Sequence, residues 1–286
     1  MNSSSPYKIK SHIWYEEAEP DNPYVAQSSY CHGYDVYGEM VGNARWVEML
    51  YLLFKGEAPT HMQANRLEAL AVALANPGPR EASVHAAMAG GVGGSTAASC
   101  LMAALAVGAG QLSGGREIFL LMQAWQTCGF NINQWRDWLQ APTSIPGSVW
   151  PTAEHPLGFD PHGIRTSTPV KQLLAQLLAK GQTNNKLTSH EPVTIKTTSQ
   201  TDSCLGWLEA NREALEADAE SPLALSGVAA AAFVDLGFKP EQGEMLYLLL
   251  RLPGAAAHAL EQQEYGHKSF PFGDVILEEN LDHNKK

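Results

Sequence analysis

The C-terminal segment from Ser221 to His258 constrains the fold more than any other part of the chain. It consists of two apolar stretches joined by a turn between Gly237 and Pro240, and both stretches have the composition of buried helices. One arginine, Arg251, lies among leucines and small residues in the second stretch. Because an unpaired buried charge is too costly, this arginine must either meet an anion or lie at the surface.

Length and charge argue against several classes of protein. The 286 residues suffice for one large domain, or for one large and one small domain. A net charge of −11 and a pI near 5.3 argue against nucleic acid or an anionic membrane as the main partner. No apolar run reaches the roughly 18 residues of a membrane span. The N-terminus lacks the apolar core of a signal peptide, so a cytoplasmic location is expected.

The four cysteines, at positions 31, 100, 128 and 204, are widely scattered along the chain. No Cys-x-x-Cys pair occurs, so the spacing does not indicate a zinc site. We therefore expect reduced, structural thiols and no metal ion.

Apolar periodicity predicts a chain built from helices. The segment Trp46–Phe54 has the pattern of a compact apolar helix that stops at Gly56. The stretch 82–112 is rich in alanine and glycine, which lets a central helix approach its neighbours closely. No βαβ alternation and no fixed-period repeat occurs, so the predicted class is all-α, with an extended arm at 1–29 and a loop at 182–203. Four further helices are predicted in the C-terminal third, at 204–219, 223–236, 240–250 and 254–265.

Several motifs carry a resemblance to a known family. Near the N-terminus, His32-Gly33-Tyr34-Asp35 is followed by Leu52-Leu53-Phe54-Lys55-Gly56-Glu57-Ala58-Pro59. Near the C-terminus, Phe233-Val234-Asp235 is followed by Arg251-Leu252-Pro253-Gly254 and His258. Between these motifs, an alanine-rich helix precedes a pair of glycines at 114 and 115. In these features, over residues 12–275, the chain resembles the citrate synthase and citryl-CoA lyase family.

The resemblance implies a citrate synthase-like subunit with a large and a smaller helical domain, working as a homodimer. The implied large domain comprises 1–115 and 221–286, and the implied small domain comprises 116–220. The family makes or breaks a carbon–carbon bond in a Claisen-type reaction between an acyl-CoA and a 2-oxo acid. The CoA thioester is thus a substrate, and no permanently bound cofactor is implied. Such chemistry requires an acid/base pair to form the enol and arginines to bind carboxylates.

The catalytic residues of the family are only partly matched. The family's first histidine corresponds to Pro77, its enol-forming histidine to Ser113 and its catalytic aspartate to Leu223. Proline and leucine transfer no proton, and serine is a poor general acid at neutral pH, although it can donate one hydrogen bond. The family's Gly-Phe-Gly-His motif corresponds to 158–165. Either His162 is the displaced counterpart of the family's histidine, or this chain lacks that histidine.

The candidate residues for proton transfer are Ser113, His162 and His85. For His162 the alternative is a solvated loop, and for His85 it is a core histidine with satisfied hydrogen bonds. Asp160 is a further candidate base, although aspartates in loops usually cap turns. Asp235 is expected to be structural.

The candidate residues for substrate binding begin with Arg251, which corresponds to the family's substrate-binding arginine. The alternative for Arg251 is a surface or interface ion pair, and His258 is expected to support its helix. The other candidates are Arg165, His32 and Lys268. For Arg165 the alternative is again a solvated loop, and for His32 it is a turn-stabilising role.

Two hypotheses from different classes follow. The first is an acyltransferase or lyase, a divergent relative of citrate synthase and citryl-CoA lyase. The second is a non-catalytic dimeric relative that binds CoA or a carboxylate as a sensor, scaffold or partner subunit. The second hypothesis includes a heterodimer with a catalytic homologue. It is motivated by the loss of several catalytic residues at once, because loss of one member of a cooperating set already costs orders of magnitude in rate.

Overall fold

A computed structural model describes residues 10–141, 155–180, 203–271 and 273. The chain is mostly helical, which confirms the predicted class, and a small sheet precedes the helices. The predicted loop at 182–203 lies outside the described residues except for Ser203. The helices are α1 (Trp46–Lys55), α2 (His61–Leu74), α3 (Ala82–Val92), α4 (Ala97–Gly108), α5 (Gly115–Cys128), α6 (Ile132–Gln140), α7 (Thr168–Lys180), α8 (Cys204–Asp218), α9 (Leu225–Asp235) and α10 (Pro240–Tyr265).

The N-terminal region forms an antiparallel sheet, where the sequence predicted an extended arm and gave no sign of strand pairing. The sheet order is β1-β2-β3, and Trp14 lies opposite Cys31. Most side chains of the first two strands are exposed, and one of the two buried ones, Ser29 and Cys31, is polar. The sequence therefore shows no alternating apolar pattern that would reveal these strands. The strands are β1 (Trp14–Glu19), β2 (Asn22–Cys31) and β3 (Tyr34–Asp35), and a short π-helical turn follows at Val36–Met40.

The chain folds into two compact units. The first comprises Met1–Asn76 and Gly108–Arg251, and the second comprises Pro77–Val107 and Leu252–Lys286. The large and smaller helical domains implied by the resemblance are bounded at other residues, and that division stays a prediction.

The core of the first unit includes the contact between α5 and α9. The alanine-rich run of α9 from Val228 to Phe233 has no exposed surface, and its small side chains permit close packing against α5. Further along α5, Trp125 lies edge-on to Trp135 and Trp207, with ring centroids 4.7 and 5.6 Å apart. Because this core fixes α5, the first turn of α5 is a rigid support for a site.

In the second unit, α3 lies very close to the C-terminal part of α10. A Cβ atom built on Gly91 would lie 2.2 Å from the backbone carbonyl oxygen of Ala259. No side chain fits at that distance, so only glycine allows this approach. The alanine- and glycine-rich composition of 82–112 therefore has a packing function here.

We expect Gly91→Ala to lower the free energy of unfolding by about 1–3 kcal/mol, because two backbones must separate to admit the methyl group. Gly90→Ala is the matched control on the same helix. The atom nearest to a Cβ at Gly90 is the Cys100 sulfur at 3.2 Å, a side-chain atom that can shift. Equal urea midpoints for the two variants would show that the close approach is absent.

Helix α10 runs without interruption through Pro253, so the prediction of separate helices at 240–250 and 254–265 was wrong. Proline removes one backbone hydrogen bond and crowds the preceding turn, but packing on both sides can hold a helix together around it. Arg251 therefore lies within a helix and not at a helix end.

Candidate functional site

Arg251 is buried in the first unit, with 6% of its surface exposed. Its Nη1 donates a hydrogen bond to the carbonyl oxygen of Ser113 at 2.9 Å. Its guanidinium also lies over the ring of Tyr247, 4.7 Å from the ring centroid. Arg251 therefore does not lie at the surface of the unit. Its guanidinium is planar and carries a fork of N–H donors that suits carboxylate binding.

The carboxylate of Glu117 is the second charged group of this site, and it is only 2% exposed. Its Oε2 accepts a hydrogen bond from the backbone nitrogen of Ser113 at 2.5 Å. Its Oε1 accepts two more, from the backbone nitrogen of Gly158 at 2.7 Å and from the hydroxyl of Ser226 at 2.9 Å. Glu117 thus joins three segments that are far apart in the sequence.

Sequence reasoning missed Glu117. An acidic residue in the first turn of a helix is common, since it interacts favourably with the helix dipole, and such residues are normally exposed. The available signal was its position, four residues after Ser113 and two residues after the glycine pair.

Burial raises the pKa of Glu117 above its ordinary value, and this is the largest effect on the group. The three hydrogen bonds and the charge of Arg251 act in the opposite direction. Burial and hydrogen bonding therefore act against each other at this carboxyl group.

Ser113 joins the site through its backbone. Its φ is +58°, in the left-handed region that residues other than glycine rarely adopt. Its nitrogen and its carbonyl oxygen are held by Glu117 and Arg251 respectively. The next residue must be glycine, because a Cβ at Gly114 would lie 2.3 Å from the carbonyl oxygen of Gly110. The Ser113 side chain is exposed, and its part in proton transfer stays a prediction.

The loop that contains His162 and Arg165 meets this site at Gly158, through the hydrogen bond to Glu117. The side chains of His162 and Arg165 are themselves exposed. The backbone nitrogen of His162 donates to Asp160 Oδ1 at 2.9 Å, so Asp160 closes a turn as loop aspartates usually do. This geometry favours the alternative of a solvated loop, and the roles in catalysis and binding stay predictions.

His32 lies in the turn between β2 and β3, with a φ of +49°. Its Nε2 is buried and has no hydrogen-bond partner within the described ranges. His32 as a whole is half-buried, and its role in substrate binding stays a prediction.

Three other residues singled out from the sequence lie in the second unit. His85 is exposed on α3, and its ring lies 5.6 Å from that of Phe270. Lys268 is exposed in a short 3-10 turn. His258 Nδ1 lies 3.1 Å from a carboxylate oxygen of Glu261, as expected for a residue that supports its helix. The roles of His85 in catalysis and Lys268 in substrate binding stay predictions.

The four cysteines are free and buried. Burial raises the pKa of the thiols of Cys31, Cys128 and Cys204, so these thiols are protonated at neutral pH and poorly reactive. In the part of the chain that the structure describes, no group of three or more histidine, cysteine, aspartate or glutamate side chains is placed to hold a metal ion.

The fold is similar to that of enzymes that cleave citrate or citryl-CoA. Citryl-CoA lyase from Hydrogenobacter thermophilus matches with a TM-score of 0.66 at 18% identity, over 97% of this chain and 94% of that chain. ATP citrate lyase from Methanothrix soehngenii, in complex with citrate and coenzyme A, matches with a TM-score of 0.66 at 16% identity. The match covers 98% of this chain and 44% of that chain. ATP citrate lyase from Methanosaeta concilii, in complex with (3S)-citryl-CoA, matches with a TM-score of 0.64 at 15% identity. The match covers 96% of this chain and 42% of that chain.

The chain has a citrate synthase-like fold, which confirms the resemblance at the level of the fold. It spans less than half the length of the two ATP citrate lyases. No protein-family model and no curated protein matches its sequence. Among the helices of the described residues, none combines the length and the apolar character that crossing a bilayer requires.

Proposed function

We propose that this protein makes or breaks a carbon–carbon bond between an acyl-CoA and a 2-oxo acid, with Arg251 binding a substrate carboxylate. The burial of Arg251 within a citrate synthase-like fold carries the proposal. A buried guanidinium forms strong, directional hydrogen bonds with a carboxylate, because its planar fork of N–H donors matches the two carboxylate oxygens.

The substrate class is proposed from similar proteins. The matched ATP citrate lyases are complexes with citrate and coenzyme A and with (3S)-citryl-CoA. Citryl-CoA is therefore the first compound to test, together with acetyl-CoA and 2-oxo acids for the reverse reaction. A cytoplasmic homodimer is part of the proposal, and a heterodimer with a catalytic homologue is its alternative.

Ser113 is the candidate for proton handling that lies beside Arg251. In cleavage of citryl-CoA, a base removes the proton of the tertiary hydroxyl, the carbon–carbon bond breaks, and the electron pair passes to the thioester as an enolate. A hydrogen bond from the Ser113 hydroxyl would stabilise the enolate oxygen. The exposed His162, in the same unit, is the proposed acceptor of the hydroxyl proton, and return of a proton to the enolate carbon gives acetyl-CoA and oxaloacetate. His85, in the second unit, stays a separate candidate for proton transfer.

The test is turnover by the purified protein. Acetyl-CoA with a panel of 2-oxo acids is monitored for release of free thiol, and citryl-CoA is monitored in parallel for acetyl-CoA. We expect product in at least one pairing and a loss of about a hundredfold or more in kcat/KM for Arg251→Lys, since lysine cannot form the bidentate contact. Arg136→Met, which removes an exposed cation, should keep the rate of the unaltered protein. Failure of every pairing would contradict the proposal.

A second candidate function is a non-catalytic carboxylate- or CoA-binding protein. It is favoured by the residues at three catalytic positions of the family, Pro77, Ser113 and Leu223, and by the fact that Glu117 is occupied by structural hydrogen bonds. This function predicts a rise in melting temperature with citrate or CoA but no product. Stable association with a catalytic homologue would favour the partner-subunit form.

A further inference from the structure

Glu117 and Arg251 hold Ser113 from its two backbone ends. The nitrogen of Ser113 donates to the carboxylate, and its carbonyl oxygen accepts from the guanidinium. Ser113 has a positive φ, a conformation that persists only where the surroundings determine it. The carboxylate and the guanidinium therefore both fix this turn. Because both bind the backbone of Ser113, a change in one of them alters the position of the other.

The anchorage of Glu117 itself is strong. Its carboxylate also accepts hydrogen bonds from Gly158 and Ser226, which belong to the loop before α7 and to the first turn of α9. The packing of α9 against α5 fixes the backbone on both sides of this contact. Through these hydrogen bonds, Glu117 links the Ser113 turn to a rigid part of the core.

We propose that Glu117 is a positioning residue, which holds the Ser113 turn and thereby keeps the guanidinium of Arg251 in the orientation that binds a carboxylate. This inference deepens the proposed function, on which the role of Arg251 as carboxylate ligand rests. Glu117 is assigned no contact with substrate. Glu117 affects binding indirectly, because it holds Ser113, whose carbonyl oxygen accepts from Arg251, and because its charge interacts with that of Arg251.

The test uses Glu117→Gln, which keeps the shape of the side chain. An amide has one acceptor oxygen, so it cannot accept from Ser113 on one side and from Gly158 and Ser226 on the other. Ser203→Ala is the stability control, because Ser203 caps α8 in the same unit without contacting Glu117. Should Glu117→Gln fail to fold, it is made in a Ser113→Gly background, since glycine adopts a positive φ without strain.

The first measurement needs no ligand. The protein is treated with phenylglyoxal, and the modification of Arg251 relative to the exposed Arg136 is followed by mass spectrometry. We expect Glu117→Gln to raise the relative modification rate of Arg251 by about tenfold, through local opening of the Ser113 turn. Ser203→Ala should leave this ratio at the value of the unaltered protein. An unchanged ratio in Glu117→Gln would overturn the inference.

The second measurement is the Kd for citrate, by calorimetry well below the unfolding temperature. We expect Glu117→Gln to weaken binding by about tenfold, and Ser203→Ala to bind as tightly as the unaltered protein. Equal affinity of Glu117→Gln and the unaltered protein would overturn the inference and leave the proposed function intact. If the unaltered protein binds no carboxylate, the proposed function fails, and the modification ratio alone decides whether Glu117 positions Arg251.

Discussion

Replacement of Arg251 by methionine is expected to lower the free energy of unfolding by about 1.5–3 kcal/mol, the range for losing a hydrogen bond that involves a charged group. Methionine fills much of the volume of arginine but cannot donate a hydrogen bond. The carbonyl oxygen of Ser113 then loses its donor, and Glu117 loses the charge that favours its ionisation. We also expect the variant to lose citrate binding. Urea unfolding and calorimetry measure the two effects.

Arg136→Met is the matched control for this prediction. Arg136 forms an ion pair with Asp218 at 2.8 Å, but 43% of its side chain is exposed. Exposed ion pairs contribute about 1 kcal/mol or less, so this variant should unfold near the midpoint of the unaltered protein. Equal losses in Arg136→Met and Arg251→Met would show that Arg251 is not part of a buried charged site.

Asp235→Ala is expected to cost about 3–5 kcal/mol of stability, since it removes one partner of a buried pair. The two oxygens of Asp235 accept hydrogen bonds from the backbone nitrogens of Cys204, at 2.6 Å, and Leu205, at 3.1 Å. A guanidinium nitrogen of Arg66 lies 4.0 Å away, and both side chains are nearly inaccessible. Alanine leaves the start of α8 without these acceptors and the Arg66 charge without its carboxylate. The change is measured by urea unfolding.

Ser203→Ala isolates the contribution of capping alone. The Ser203 hydroxyl accepts a hydrogen bond from the backbone nitrogen of Gly206 at the same end of α8, without a charge. Its loss should cost about 1 kcal/mol. If Asp235→Ala were no more damaging than Ser203→Ala, the buried pair with Arg66 would make no contribution.

For Arg251 the sequence left two solutions open, contact with an anion or a surface position, and the structure shows the residue buried. The helical class could be predicted from the sequence, because it depends on local patterns. The alanine run of α9 likewise permits little besides a buried helix. The structure agrees with both inferences.

The N-terminal sheet, the continuity of α10 and the role of Glu117 could not be predicted. Most side chains of β1 and β2 are exposed and one of the two buried ones is a serine, so these strands lack the apolar alternation that marks most strands. Pro253 favours a helix end locally, and only packing overrides that preference. Glu117 acquires its function from Gly158 and Ser226, and their proximity is a property of the folded chain alone.

The proton-transfer candidates show the same limit. Ser113 was singled out for its side chain, yet its described contacts at the site are made by its backbone, whose positive φ no sequence pattern announces. For His162 and His85, spacing suggests chemistry, whereas both side chains are exposed. Which of them meets a substrate depends on where the substrate lies.

A crystal structure of the protein with citrate and coenzyme A would show directly whether Arg251 binds a carboxylate. We expect a citrate carboxylate within hydrogen-bond distance of the guanidinium of Arg251, at about 2.7–2.9 Å, with the Ser113 carbonyl oxygen still accepting from Nη1. Citrate bound at another place, with Arg251 in contact only with Ser113 and Tyr247, would contradict it.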